Sequence, residues 1–411
     1  MFLKKIALVG AVSALMASTA YAGCGLTSGS VRILSNDFPA LHAVAAGAEA
    51  CAGGGVEVSK NQTTEHKDLQ VAALTSNPAQ YTTAVVANSS IVPLLNGDLI
   101  RPLDDLVAKH GQGLQKTQLV TIDGKVMAIA FMANAQHLWV RDDILAKAGV
   151  SAPTTYEEVL AASKAIRDAG IMEYPFAMNT KSGWNLGEEF VNMYMGTGAD
   201  MFVPGTAEVA INNDHGVATL NMLKSLMEYS NPDFLTFDSN ATQALWEGGE
   251  LAIANMWGSR GGAVLDDEGS TEEVTSNTRL IGAPTWGNGS TPASTLWWDG
   301  FTISKNISDE DAEATFVAML NGISTEMVKA NNDKAVWLID GYMPGRAAEG
   351  ISATASAGAP PYPMMPFMGA LHTALGNELS DFLQGKESAE QALADVEAAY
   401  NAAAKEQGYL K

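Results

Sequence analysis

Apolar and polar positions along this chain fall into blocks whose period switches between two and about 3.6. Residues 31–35, VRILS, read as a short apolar strand. Residues 39–52 are an Ala-rich helical run that opens on Pro39 and ends at Gly53-Gly54-Gly55. Residues 56–59 alternate as a second strand. Leu69, Ala72, Ala73 and Leu74 mark the apolar face of the next helix, and residues 82–87 form a third apolar strand. A β-α-β repeat of this kind predicts a parallel sheet covered by helices on both faces.

After Ala133-Asn134 the alternation starts again. Thr154-Thr155-Tyr156-Glu157, with Pro153 just ahead, reads as a capping box that opens a helix. Residues 174–178 read as a strand, and Ser308-Asp309-Glu310-Asp311 caps a helix carrying Phe316, Val317 and Leu320. From about Ser324 the chain is mainly helical. The sum is an α/β protein of two lobes. Residues 23–133 plus about 284–324 make the first, and 134–283 plus about 325–411 the second. Crossovers are expected near Ala133-Asn134, Ala283-Pro284 and Ser324. There is no short-period repeat.

The first 22 residues stand apart. Lys4 and Lys5 precede an apolar run from Ile6 to about Met16, and Ala20-Tyr21-Ala22 is an A-x-A cleavage sequence. This is a secretory leader, too short to span a membrane, and it predicts an exported, periplasmic product. Cys24 and Cys51 are the two cysteines. In an exported protein an even pair predicts a disulfide. The competing assignment is acylation of Cys24, for which Tyr21-Ala22-Gly23 is a poor lead-in. The formal net charge of −22 makes nucleic acid and anionic lipid poor partners.

Six segments resemble, in order, the family 1 extracytoplasmic solute-binding proteins of bacterial ABC importers, the maltose-binding-protein-like group. They are LLNGDLIRPLDDL (94–106), IDGKVMAIAFMANAQHLWVRDDILAKAGV (122–150), APTTYEEVLAASKAI (152–166), LWEGGELAIANMWGSRGG (245–262), WWDGFTISKN (297–306) and GYMPGR (341–346). The resemblance implies a two-lobed periplasmic receptor, not an enzyme. It would be monomeric and free of cofactors, closing on a ligand, usually a sugar, for delivery to a membrane permease. Two departures stand out. Met256 replaces the proline of the family's Gly-Pro-Trp sequence, and Met364, Met365 and His372 stand where some relatives carry aromatic platforms, which argues against a long maltodextrin.

A sugar offers apolar C–H faces for aromatic rings and a rim of hydroxyls for planar polar groups. Candidates for such a site follow from the strand and helix ends. On a strand only one of Trp297 and Trp298 can face a cleft. Phe301 and Ile303 place the odd-numbered face in the core, so Trp298 is assigned to the cleft with Asp299 and Gly300 close by, unless a bulge near Gly300 swaps the pair and brings Asp299 toward the ligand. Trp257 and Trp184 are further platforms, unless they pack in a core or staple a helix. Asn36 and Asp37 follow the first strand, Asn88 and Ser89 the third, and Asn134 ends the stretch leading to the hinge; these types also serve as ordinary helix caps. Arg346 can fork to a ligand or form a salt bridge.

No metal site is expected. His42, His66, His110, His137, His215 and His372 lack ligand spacing, and DDEGSTEE (266–273) lacks the pattern of a calcium loop. No Gly-x-Ser-x-Gly or phosphate-binding loop occurs. Two other functions fit the same residues: a receptor for a charged solute such as a polyamine or sugar phosphate, and a secreted carbohydrate-active enzyme using Glu188, Glu189 or Asp299.

Overall fold

A computed structural model describes residues 22–411; the leader assigned to residues 1–22 lies outside the described residues except for Ala22. Eleven strands occur among them. They are β1 (Gly29–Ser35), β2 (Val56–Gln62), β3 (Thr83–Ala87), β4 (Leu119–Ile122), β5 (Lys125–Asn134), β6 (Gln136–Arg141), β7 (Phe176–Ala177), β8 (Ile253–Trp257), β9 (Thr278–Ile281), β10 (Trp297–Phe301) and β11 (Val336–Trp337). Two sheets result, one per lobe. The first runs β11-β5-β10-β3-β1-β2, with β4 also on β5; the second runs β7-β8-β6-β9.

The β-α-β reading holds where it was made: β1 pairs in parallel with β2 and β3. The rest of that sheet is antiparallel: β10 returns from the other lobe and inserts between β3 and β5, and β4 and β11 pair with β5. The helix Pro39–Glu49 begins with proline at its first turn, where the missing N–H costs nothing. It packs against the helix Asp309–Gly322 so closely that a Cβ on Gly47 would lie 2.9 Å from the Gly322 Cα. Cys51, just past that first helix, is bonded to Cys24, tying the start of the described chain to the sheet's helical cover. Val31, Ile33, Val44, Phe301, Phe316 and Met319 belong to this lobe's core.

The second lobe's core gathers Leu138, Tyr156, Phe176, Phe190, Leu220, Leu371 and Val396. The helices Met368–Leu383 and Ala389–Glu406 supply one side of it. The cap of the helix Tyr156–Asp168 sits one residue later than the sequence pattern suggested. Thr155 Oγ1 accepts from Glu158 N at 3.1 Å, and the Glu158 carboxylate takes the N–H of Thr154 at 2.7 Å.

The chain changes sheets at Ala135, the single residue between β5 and β6, and again between β9 and β10. The third expected crossover, near Ser324, is placed too early. Met327, Val328 and Trp337 still pack in the first lobe's core, and β11 pairs with β5. The chain enters the second lobe only after Ile339, before the helix Glu349–Ser356 that packs on β9 and β6. The helix His66–Thr75 is also turned from its expected face: Leu69 is 39% exposed, while His66, Gln70, Ala73 and Leu74 are buried. Its buried side is polar at the N-terminal end, because that end faces the space between the lobes.

The Cys24–Cys51 bridge closes a loop with a sequence separation of 27. Thiol titration of the unfolded, unreduced protein is expected to find no free thiol. Cys51→Ala is expected to lower unfolding free energy by about 3 kcal/mol in denaturant melts.

Candidate functional site

Both lobes contribute to a cavity of about 450 Å3, within the range of small-molecule sites. Strand ends supply one part of its wall. Asn36 and Phe38 follow β1, Ala87 ends β3, Asn134 ends β5, and Trp297 and Asp299 lie on β10. Helix starts supply the rest: residues 64–68 at the helix His66–Thr75, Trp184 and Asn185 at the helix Trp184–Gly196, and residues 238–240 at the helix Ser239–Glu247. Trp257 ends β8, and Ser259 and Arg260 follow it. Carboxyl ends of strands and amino ends of helices converge here, as in other open α/β sheets.

Three tryptophans form the apolar wall. Trp184 lies 6.3 Å from Trp257, with planes 24° apart, and Trp297 stands edge-on to both at 5.6 Å. Trp297 is anchored: its Nε1 donates to Glu188 Oε1 at 3.1 Å and to Thr295 Oγ1 at 2.8 Å, and its ring packs 4.3 Å from that of Tyr362. His372 stacks on Trp184 at 4.8 Å, only 15° from parallel. Burial pushes His372 down to about 3, so its ring is neutral. Nε2 donates to the Trp184 carbonyl at 2.8 Å, which leaves Nδ1 to accept from the Tyr362 hydroxyl at 2.8 Å.

The polar rim is of mixed sign. Lys67 holds its ammonium 3.5 Å from the centre of the Trp184 ring and 5.8 Å from that of Trp297. Burial pulls Lys67 down to about 8, opposed by the charges of Glu188, Asp299 and Asp68. Burial pushes Asp299 up to about 7, with Lys67 acting against it and no hydrogen bond contributing. Burial likewise lowers Arg260, whose Nη1 donates to Gln243 Oε1 at 3.2 Å. Lys181 pairs with Asp238 at 3.2 Å, while Asp238 Oδ1 caps the helix behind it through the amides of Asn240 and Ala241. Beneath the wall Glu188 and Glu189 are fully buried. Burial, and for Glu188 also its neighbour Glu189, pushes both well above the carboxylate range. Neither side chain lines the cavity.

Of the residues singled out in the sequence, Asn36, Asn134, Trp184, Trp257 and Asp299 line this cavity. The amide of Asn134 is already engaged: its Oδ1 accepts from Ser259 N and Ala135 N, each at 3.0 Å, and its Nδ2 donates to Ser259 Oγ. The other candidates lie elsewhere. Asp37 pairs with exposed His42 at 2.6 Å. Asn88 is buried and clasps β10, accepting from Trp298 N at 2.9 Å and donating to the Leu296 carbonyl at 3.3 Å. The buried Ser89 hydroxyl has no partner among the described residues and does not reach the cavity. A Cβ on Gly300 would lie 2.6 Å from the Ile129 carbonyl oxygen, so its open backbone serves strand packing rather than a ligand. Arg346 is exposed and donates to the carbonyls of Thr275 and Thr278.

The tryptophan pair is reversed from the sequence assignment. Trp297 lines the cavity, and Trp298 packs on the far side of the sheet, in the cluster with Val86, Met127 and Met364. Strict alternation was sound, but burial of Phe301 and Ile303 was the wrong guide. The sheet is covered on both faces, and the odd-numbered face passes from helix-covered core at Phe301 to cleft at Asp299 and Trp297. Sequence reasoning also missed Lys67, Lys181 and Arg260. The one available signal for Lys67 was the polar pair His66 and Gln70 on the buried side of its helix.

The sequence profile of the bacterial extracellular solute-binding proteins matches residues 35–322 of the chain. No curated protein sequence matches it significantly. Among solved structures, an ABC transporter solute-binding protein of Agrobacterium radiobacter K84 in complex with ribitol is similar at a TM-score of 0.79 and 19% identity, over 92% of this chain and all (100%) of that one. The maltose-bound MalE3 of T. maritima is similar at 0.77 and 18% identity, over 91% of this chain and 99% of its own. A solute-binding protein of Agrobacterium vitis S4 with bound D-mannitol is similar at 0.77 and 19% identity, over 93% of this chain and 100% of its own. These likenesses carry the two-lobed fold, and the profile match, spanning well over half of the sequence, carries the family: the chain belongs to the bacterial extracellular solute-binding proteins.

Proposed function

We propose that the protein is a monomeric, periplasmic receptor of an ABC importer that closes on a sugar or related polyol and hands it to the membrane permease. The observation that carries this reading is the wall of Trp184, Trp257 and Trp297 set beside a rim of short polar side chains in one cavity. Aromatic faces cover the C–H side of a pyranose or polyol, while Asp299, Asn185 and the Nδ2 of Asn36, whose Oδ1 accepts from Asp37 N at 2.8 Å, can pair with hydroxyls. The ribitol, maltose and D-mannitol held by structures of the same fold support the same class of ligand. A cavity of about 450 Å3, with His372 filling one side of Trp184, favours a single sugar unit or a short chain.

Turnover has no part in this reading. Glu188 and Glu189 are sealed beneath the aromatic wall, so neither is placed to protonate a leaving group or activate water. The work of the cleft is to bind the ligand with both lobes at once. Contacts made only in the closed form supply the differential affinity that drives closure.

A thermal-shift screen of neutral sugars and polyols is expected to return a hit; absence of any hit among mono- and disaccharides and pentitols or hexitols would remove the reading. Trp184→Ala is expected to weaken binding of that hit by about 1–3 kcal/mol by calorimetry, the loss of one stacking surface. Arg346→Ala, outside the cavity, is expected to leave it unchanged. Small-angle scattering should show compaction on saturation with the same ligand. Asp299 generates a prediction without ligand. Its carboxyl titrates at about 7 in the folded protein against 3.8 for the ordinary group. Between those values folding holds a proton that the unfolded chain releases, so stability falls as pH rises through this window and is level above it. Asp299→Asn removes that decline. The variant should gain stability over wild type at pH 8 but not below about pH 4, read by denaturant melts at both pH values.

A further inference from the structure

Lys67 is the feature of the cleft that ligand recognition by stacking alone does not account for. Its side chain leaves the first turn of the helix His66–Thr75, in the first lobe, and reaches across to Trp184 of the second. The ammonium stands 3.5 Å from the centre of the Trp184 ring, on which His372 also stacks at 4.8 Å. It therefore covers ring surface of Trp184 on which a ligand would stack. Trp297 flanks it at 5.8 Å, and the Asp299 carboxyl lines the same cavity. No hydrogen bond or ion pair to the Lys67 ammonium occurs among the described residues, so no direct polar partner fixes it there. Two aromatic faces with a carboxylate nearby are the elements that recognise organic cations. Here that seat holds a cation belonging to the chain itself.

We infer that Lys67 is the specificity-determining residue for ligand charge: its tethered ammonium fills the cation seat made by Trp184 and Asp299, so the cleft refuses amines and receives neutral polyhydroxyl ligands. This rests on the cleft being the ligand site, as proposed above. A solute amine entering the seat meets Lys67 at close range, and repulsion between like charges in a half-buried site is much larger than in water. A neutral polyol meets no such barrier. It displaces the flexible lysine from the ring face, and the ammonium then serves as a donor to its hydroxyls. The polyamine alternative raised by the sequence is thereby assigned to the cleft without Lys67 rather than to the native one.

The test uses the mature protein and amine probes, putrescine and choline, titrated calorimetrically against wild type, Lys67→Ala, Lys67→Gln and Lys67→Arg, each first checked for a cooperative melt. Wild type and Lys67→Arg are expected to bind neither probe measurably at millimolar concentration. Lys67→Ala and Lys67→Gln are expected to bind at least one of them ten times more tightly or better, and Trp184→Ala added to Lys67→Ala should abolish the gain. Rescue by arginine separates a role of charge from one of packing. If wild type binds either amine within tenfold of Lys67→Ala, or if neither neutral variant gains amine binding, the inference is overturned. These arms need no native ligand, so their outcome is separate from that of the neutral-solute screen.

Discussion

Trp297 is the residue on which the site depends. It leaves β10, a strand of the first lobe's sheet, yet its ring packs in the second lobe's core beside Tyr362. Its indole N–H is held by Glu188, on the second lobe's helix. The side chain is 5% exposed, so it has little freedom, and the two tryptophans that touch it are set by its edge. Trp184 and Trp257 each meet that edge at 5.6 Å. The same strand presents Asp299 two residues on, and the same wall provides the ring over which Lys67 lies. The aromatic wall, the Asp299 carboxyl and the Lys67 ammonium all lie around one anchored indole.

The anchor carries an electrostatic cost. Glu188 and Glu189 are buried, and Glu188 Oε2 finds no partner among the described residues. An unpaired buried carboxylate is expensive, and the group responds by holding its proton. Glu189 differs from its neighbour: it accepts from Gln136, Asn179 and Asn255, all within 3.1 Å. The floor of the cleft is thus a hydrogen-bonded polar layer rather than a hydrophobic core. Such a layer fixes ring orientation more sharply than apolar packing, because moving the indole would leave buried acceptors unmet.

The two lobes meet over little backbone. Ala135 alone separates β5 from β6, and the Asn134 amide bridges to Ser259 immediately beside it. A short, hydrogen-bonded crossover of this kind leaves both sheets intact on either side of a few dihedrals. Asn134, Trp257 and Ser259, which line the cavity, gather at that crossover. That geometry joins the local chemistry of the cavity to the delivery role of a solute-binding receptor.

Local pattern determined much of this protein. Alternation and glycine punctuation placed β1, β2 and β3 and the helix between the first two, and Ser308 caps its helix as its sequence requires. Ordered motifs pointed to two lobes, and strand and helix ends pointed to Trp184, Trp257 and Asp299, which line the cavity. These features depend on neighbours close in sequence, or on segments whose order is itself the signal. What tertiary structure decided was direction. Whether Trp297 or Trp298 lined the cavity turned on which face of a doubly covered sheet lay open, and no periodicity within β10 carries that information. Asn88 and Arg346 have the right chemistry for a ligand but are spent on the backbone of Leu296, Trp298, Thr275 and Thr278, partners far away in sequence. Lys67 belongs to none of the segments that pointed to the site. It became a cleft residue only because the other lobe brought Trp184 to within 3.5 Å of its ammonium, a contact between residues more than a hundred positions apart, which local physics cannot foresee.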